Sequence, residues 1–163
     1  MNKTATDFKG LLRGLLEARV DFIVVGGVAC NVHGSARATF DVDVVYARTA
    51  DNIDRLVNAL APIQPYLRGA PPGLPFSFDA KTIRAGLNFT LMTSLGDMDL
   101  LGEITGGGTY EQLLPATVEV DLFGFPCRCV TLEKLIHLKR SSGRTKDLEV
   151  LAELEAIAEE RRR

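Results

Sequence analysis

Asp41 and Asp43 stand two residues apart in Phe40-Asp41-Val42-Asp43-Val44-Val45. On a strand, positions i and i+2 share a face, so the two carboxylates lie side by side among valines. Two anions placed together beside apolar residues are costly unless a cation or hydrogen bonds offset their repulsion. Hard oxygen ligands at this spacing suit Mg²⁺, which keeps some waters and takes the rest of its shell from substrate phosphates. An isolated Asp-x-Asp reads more often as a strand end facing water. What precedes it changes the balance. In Val24-Val25-Gly26-Gly27-Val28-Ala29 a β-branched run breaks at two glycines and opens a helix. The free N–H groups of such a helix start attract an anion, and glycine lets a phosphate come close.

A third carboxylate would complete a site for two metal ions ~3.5–4 Å apart, which activate the attacking oxygen and stabilise the leaving one. Asp97 and Asp99, in Gly96-Asp97-Met98-Asp99-Leu100-Leu101, share strand parity. Asp97 follows a glycine and is expected in a turn, where aspartate is common for turn reasons. Asp99 is expected inside the strand, where burial demands a partner, and is the choice. Among the cations, Lys139 extends the apolar stripe of Leu132, Leu135 and Ile136. It either snorkels to solvent or meets an anion. Arg37 either holds phosphate bidentately or pairs with the aspartates. Arg144 and Lys146 read as surface residues or partners of Asp147, and His33 as a packing residue at a helix end.

The elements that must position these residues follow from periodicity. Phe8, Leu11, Leu12, Leu15 and Leu16 mark an amphipathic helix over 8–16. Strands are expected at Phe22–Val25 and Phe40–Tyr46, and helices at Val28–His33 and Asp51–Leu60. Pro62, Pro65, Pro71, Pro72 and Pro75 make 62–78 a loop. Leu87–Met92 and Met98–Leu101 form strands around a turn at 94–97, and Val118–Phe123 and Arg128–Val130 around Gly124-Phe125-Pro126. Two helices close the chain, from Leu132 and from about Lys146. The sum is an α/β fold, a mixed sheet with helices packed on it.

The 163 residues are one domain's worth, and 46% hydrophobic with 25% charged residues suffices for one core. Nineteen Lys and Arg against 21 Asp and Glu give a net charge of −2, which excludes a general polyanion binder. The charge is uneven: no basic residue lies between Arg84 and Arg128, whereas 128–146 holds Arg128, Lys134, Lys139, Arg140, Arg144 and Lys146 against Glu133 alone. Such an arrangement could bracket a metal–polyphosphate ligand or be ordinary solvated faces. No apolar run reaches the ~20 residues of a membrane helix. The opening residues Met1 to Thr4 lead into charged sequence without the apolar block of a secretory signal, so a cytoplasmic location is expected. Cys30, Cys127 and Cys129 read as buried thiols rather than as a disulfide or metal set.

Val25-Gly26-Gly27-Val28-Ala29, Gly34-Ser35-Ala36-Arg37-Ala38-Thr39-Phe40-Asp41-Val42-Asp43 and Asp99-Leu100-Leu101 resemble the minimal nucleotidyltransferases of the DNA polymerase beta superfamily. The likeness is greatest to the branch with abortive-infection and toxin–antitoxin nucleotidyltransferases. Leu135 to Lys139 and Gly143 to Leu148 resemble that branch's lysine-bearing helix and the Lys-Asp that follows. The resemblance spans about residues 22–150 of a single nucleotidyltransferase domain covering 1–163. It implies two Mg²⁺ ions on Asp41, Asp43 and Asp99, and a nucleoside triphosphate, ATP included, held by Gly26, Gly27, Arg37 and Lys139. A nucleotide would pass to a hydroxyl, with a tRNA end or a protein as expected acceptor and an antitoxin as expected partner. Many superfamily members carry serine after the first glycine, where this chain has Gly27 and only a backbone N–H. The rival readings are a nucleotide-binding module without turnover and a nucleotidyltransferase acting on a small antibiotic.

Overall fold

The computed structural model describes residues 5–163; the stretch Met1 to Thr4, in which no signal block is read, lies outside the described residues. A seven-stranded mixed sheet carries the molecule. At its centre β1 (Phe22–Val25) and β2 (Asp41–Tyr46) run antiparallel, and β5 (Gly96–Leu101) lies parallel to β2 on the other side. β9 (Phe125–Val130) runs parallel to β1 and antiparallel to β8 (Thr117–Leu122). β4 (Asn88–Thr93) pairs antiparallel with β5, and the two-residue β3 (Tyr66–Leu67) forms the edge beside β4. β1 is buried along its whole length, as a four-residue β-branched and aromatic run flanked on both sides must be.

Two groups of helices cover the sheet. α3 (Ala50–Leu60) packs against α1 (Phe8–Glu17) and α4 (Ala80–Ala85), and α6 (Leu132–Ser142) against α2 (Gly26–Val32) and α7 (Thr145–Arg162). The stripe of α1 buries Leu11, Leu12 and Leu15, and Asp7 caps its start by accepting from the Gly10 N–H. Asn52, wholly buried, holds α3 to the ends of β1 and β2: it accepts from the Asp21 N–H and donates to the carbonyls of Asp21 and Ala47. A small hairpin, β6 (Glu103–Ile104) with β7 (Gly108–Thr109), leads into the one-turn α5 (Tyr110–Leu113).

Three expectations are corrected. The proline-rich stretch 62–78 is not all loop, because Tyr66 and Leu67 pair with Met92 and Leu91 as an edge strand. The helix after β1 starts at Gly26 rather than Val28, since Gly26 at φ +66° makes the turn within the first helical residue. Asp97 is not in a turn. The reversal is made by Ser94 and Leu95, and Asp97 lies in β5, buried, opposite Asp41. The cysteines are free and buried as read, and burial lifts the Cys127 and Cys129 thiols to about 11 and about 12. His33 ends α2 and packs inside, with Nε2 donating to the Val130 carbonyl at 2.7 Å and Nδ1 accepting from Arg161 at 3.3 Å.

Candidate active site

The parallel register of β2 on β5 sets Asp41 against Asp97 and Asp43 against Asp99. Side-chain alternation therefore puts four carboxylates on one face of two neighbouring strands. One oxygen each from Asp41, Asp43 and Asp99 lies within 4.8 Å of the others, the spacing of a shared cation site. The electrostatics record the strain of that grouping. Burial, then the charges of Asp41 and Asp99, push the Asp43 carboxyl up to about 7. Asp41 is raised too, by burial and by Asp99, against a partial offset from Arg68. Asp43 Oδ1 is buried and has no hydrogen-bond partner. An orphaned carboxylate oxygen beside two others is what a divalent ion with oxygen ligands would satisfy, so the donor set fits Mg²⁺.

Gly26 and Gly27 border this cluster for a packing reason. A Cβ on Gly26 would collide with the Asp43 carboxylate, and one on Gly27 with the Thr39 hydroxyl. The glycines let β2 and its acid pack directly against the start of α2. Lys139, mostly buried on α6, enters the same cleft, and its Nζ donates to Asp147 Oδ1 at 3.1 Å. Asp147 also accepts from Ser142 Oγ at 2.5 Å and Arg144 Nε at 2.7 Å. Burial works against its charge, but the hydrogen bonds from Ser142, Lys139 and Arg144 win and hold the carboxyl down at about 2.

The residues singled out in the sequence thus meet. Gly26, Gly27, Arg37, Asp41, Asp43, Asp99 and Lys139 line one cleft of about 650 Å³. Arg37 sits at its rim but pairs with Glu149 and Glu153 of α7, at 3.9 and 3.8 Å, rather than with the aspartates. The basic stretch 128–146 does not form one face. Arg140 pairs with Glu155 and Lys134 donates to the Gly106 carbonyl, so Lys139, Arg144 and Lys146 are the members that reach the cleft. Sequence reasoning missed Arg68, just past β3, whose guanidinium faces Asp99 at 2.9 Å, Asp97 at 3.4 Å and Asp41 at 3.8 Å. The one available signal was that Arg68 is the sole basic residue between Arg55 and Lys81.

No family model matches this sequence, and no curated protein matches it significantly. Solved structures do resemble it in shape. The lincosamide antibiotic adenylyltransferase LnuA, bound to lincomycin, superposes with a TM-score of 0.61 at 14% identity, covering 94% of this chain and 99% of that one. TM1012 of Thermotoga maritima, assigned as a nucleotidyltransferase, gives 0.56 at 14% identity over 93% and 95% of the two chains. ANT(2″)-Ia in complex with adenylyl-2″-tobramycin gives 0.52 at 13% identity over 91% of each. The chain therefore has the nucleotidyltransferase fold, and no helix among the described residues is long and apolar enough to cross a membrane.

Proposed function

We propose that this chain is a metal-dependent nucleotidyltransferase that moves a nucleoside monophosphate from a nucleoside triphosphate to a hydroxyl, releasing pyrophosphate. The observation that carries the reading is the convergence of Asp41, Asp43 and Asp99 in the cleft that also holds the glycine turn and Lys139. Two Mg²⁺ ions bound there would neutralise phosphate charge and acidify the acceptor hydroxyl. Asp41 and Asp43 would hold the metal, and Asp99 would join them as a ligand and help take the hydroxyl proton. Gly26, Gly27, Arg37 and Lys139 orient the triphosphate. In-line displacement needs alignment and charge neutralisation rather than a protein nucleophile, which matches carboxylates facing cations. A module that binds nucleotide without turnover would not need the complete set of carboxylates.

The acceptor we favour is macromolecular, a tRNA end before a protein hydroxyl, because exposed Arg144 and Lys146 border the cleft and attract a phosphodiester chain. A toxin role with an antitoxin partner in the cytoplasm belongs to the same reading through the sequence resemblance. A small-molecule acceptor is the second reading. Its specific support is the likeness to LnuA, whose whole length this chain nearly covers and whose structure holds lincomycin. Incubation with each α-labelled triphosphate, Mg²⁺ and separate pools of tRNA, protein and hydroxyl-bearing antibiotics tests both. Label in tRNA or protein supports the first reading, label in the antibiotic alone the second, and no label anywhere with any triphosphate refutes transferase activity.

A further inference from the structure

Arg68 stands where a cation belongs. Its Nη2 lies 2.9 Å from Asp99 Oδ1 and its Nη1 lies 3.8 Å from Asp41 Oδ2, and both acids belong to the cluster that fits a metal. Its Nε lies 3.4 Å from Asp97 Oδ2, and Nη2 also donates to the Leu91 carbonyl at 2.8 Å. One guanidinium thus answers three carboxylates. A guanidinium and a divalent ion held on the same two carboxylates repel each other at short range, so each weakens the other's hold on Asp41 and Asp99.

We propose that Arg68 is the resident cation of the metal-free cleft, and that it must release Asp41 and Asp99 before a divalent ion binds them. The inference rests on the reading of Asp41, Asp43 and Asp99 as metal ligands. Two features make the release feasible. Asp97 lies outside the metal-fitting trio and, with the Leu91 carbonyl, still holds the guanidinium after the other two acids let go. The segment that carries Arg68 meets the sheet edge through the two-residue β3, the Arg68 N–H to the Thr90 carbonyl and the Ser94 N–H to the Ile63 carbonyl, and rests Leu67, Phe76 and Phe78 on the core. It leaves the Arg68 side chain to turn on its own, with Tyr66 beside it donating to the Pro71 carbonyl and stacking edge-on against Phe76. Arg68 also lines the cleft that would take the triphosphate, so a phosphate oxygen can replace the carboxylates it gives up. Bare metal then pays for displacing Arg68, whereas metal with triphosphate brings the replacement partner along.

The test is Mn²⁺ alone, titrated into the full chain after EDTA treatment, with free Mn²⁺ read by electron paramagnetic resonance and melting followed in parallel. A site open for only a fraction of the time binds more weakly by that fraction, so Arg68→Gln should bind Mn²⁺ about tenfold more tightly than wild type. Arg68→Lys keeps the charge but cannot span three carboxylates, and should also bind more tightly, by a smaller factor. Metal-free Arg68→Gln should melt below wild type, with the gap closed by saturating Mn²⁺; a merely structural salt bridge would lower melting without that rescue. If Arg68→Gln does not fold, the Arg68→Lys comparison decides alone. Unchanged affinity in the variants while wild type binds Mn²⁺ overturns the resident-cation role and leaves the metal site standing. A gain confined to Arg68→Gln, with Arg68→Lys like wild type, reduces Arg68 to a source of distant charge and overturns it too. Failure of wild type and both variants to bind Mn²⁺, with or without tripolyphosphate, removes the metal site and this inference together.

Discussion

At the scale of single residues, the site is governed by the cost of placing carboxylates side by side. Asp43 has its carboxyl raised to about 7 by burial and by its acidic neighbours, so the folded chain keeps a proton there that the unfolded chain has lost above a pKa of ~3.9. Native protein binds more protons than unfolded protein across that window, so metal-free stability should fall as pH rises from about 4 to about 7. Thermal melts in EDTA should show this slope, and Asp43→Asn should flatten it. Divalent metal competes with the same proton, and Mn²⁺ affinity should climb over the same range. Asp41→Asn combined with Asp43→Asn should reduce Mg²⁺-dependent transfer by about 10³-fold or more, since it removes the shared ligands. Circular dichroism should show the fold intact and the metal-free melt higher, because the repulsion is gone with the charges. Transfer that survives in a folded double variant would sink the assignment.

At the scale of elements, the α6–α7 junction brings the lysine of a sequence stripe into the cleft. Leu132, Leu135 and Ile136 bury one side of α6, and the lysine one turn on is carried along that stripe into the cleft. Asp147 in the first turn of α7 then fixes it, accepting from Lys139, Ser142 and Arg144 together. Removing one partner of a buried ion pair leaves the rest uncompensated, so Asp147→Ala should cost about 3 kcal/mol in denaturant unfolding. Lys139→Ala should weaken triphosphate binding about tenfold and leave nucleoside binding nearly unchanged, since a cation at this distance senses the phosphate tail. Equal losses for both ligands would point to damaged packing on α6.

The same scale explains what could be read in the sequence. β1 and α1 were legible because burial patterns them strongly, one as a continuous apolar run and the other as a 3.6-residue stripe. Asp41 and Asp43 were legible because an acid pair inside valines contradicts its surroundings. Arg68 was not, because its role comes from β3 reaching the sheet edge across a segment whose five prolines announce only loop. Asp97 was misplaced for a related reason. Glycine before aspartate is a turn signal in one dimension, whereas a cation that faces this aspartate comes from that same distant segment. Local chemistry is written in neighbours, and cross-sheet chemistry is written in register.

At the scale of the whole molecule, the acceptor is decided by where the positive charge points. The chain has a net charge of −2, so any attraction for a polyanion must be local. The basic stretch that sequence alone treats as one feature is divided by the fold. Arg140 is spent on Glu155, and Arg144 and Lys146 stand exposed at the cleft. That division supplies its own control. For a tRNA acceptor, Arg144→Glu with Lys146→Glu should lower transfer to tRNA about tenfold or more at low salt, whereas Arg140→Glu should have little effect. Because counter-ions leave the nucleic acid when each cation binds, transfer by wild type should also decline steeply between ~50 and ~200 mM salt, and the double variant should lose most of that dependence. Arg144 also contacts Asp147, so its replacement could disturb Lys139 rather than the rim. Lys146→Glu alone, which leaves that junction intact, separates the two causes: it should reproduce about half of the salt-slope change while triphosphate affinity holds. A small neutral acceptor gives the opposite pattern, with turnover insensitive to salt and to Lys146, and that result would move the assignment to the antibiotic-modifying reading.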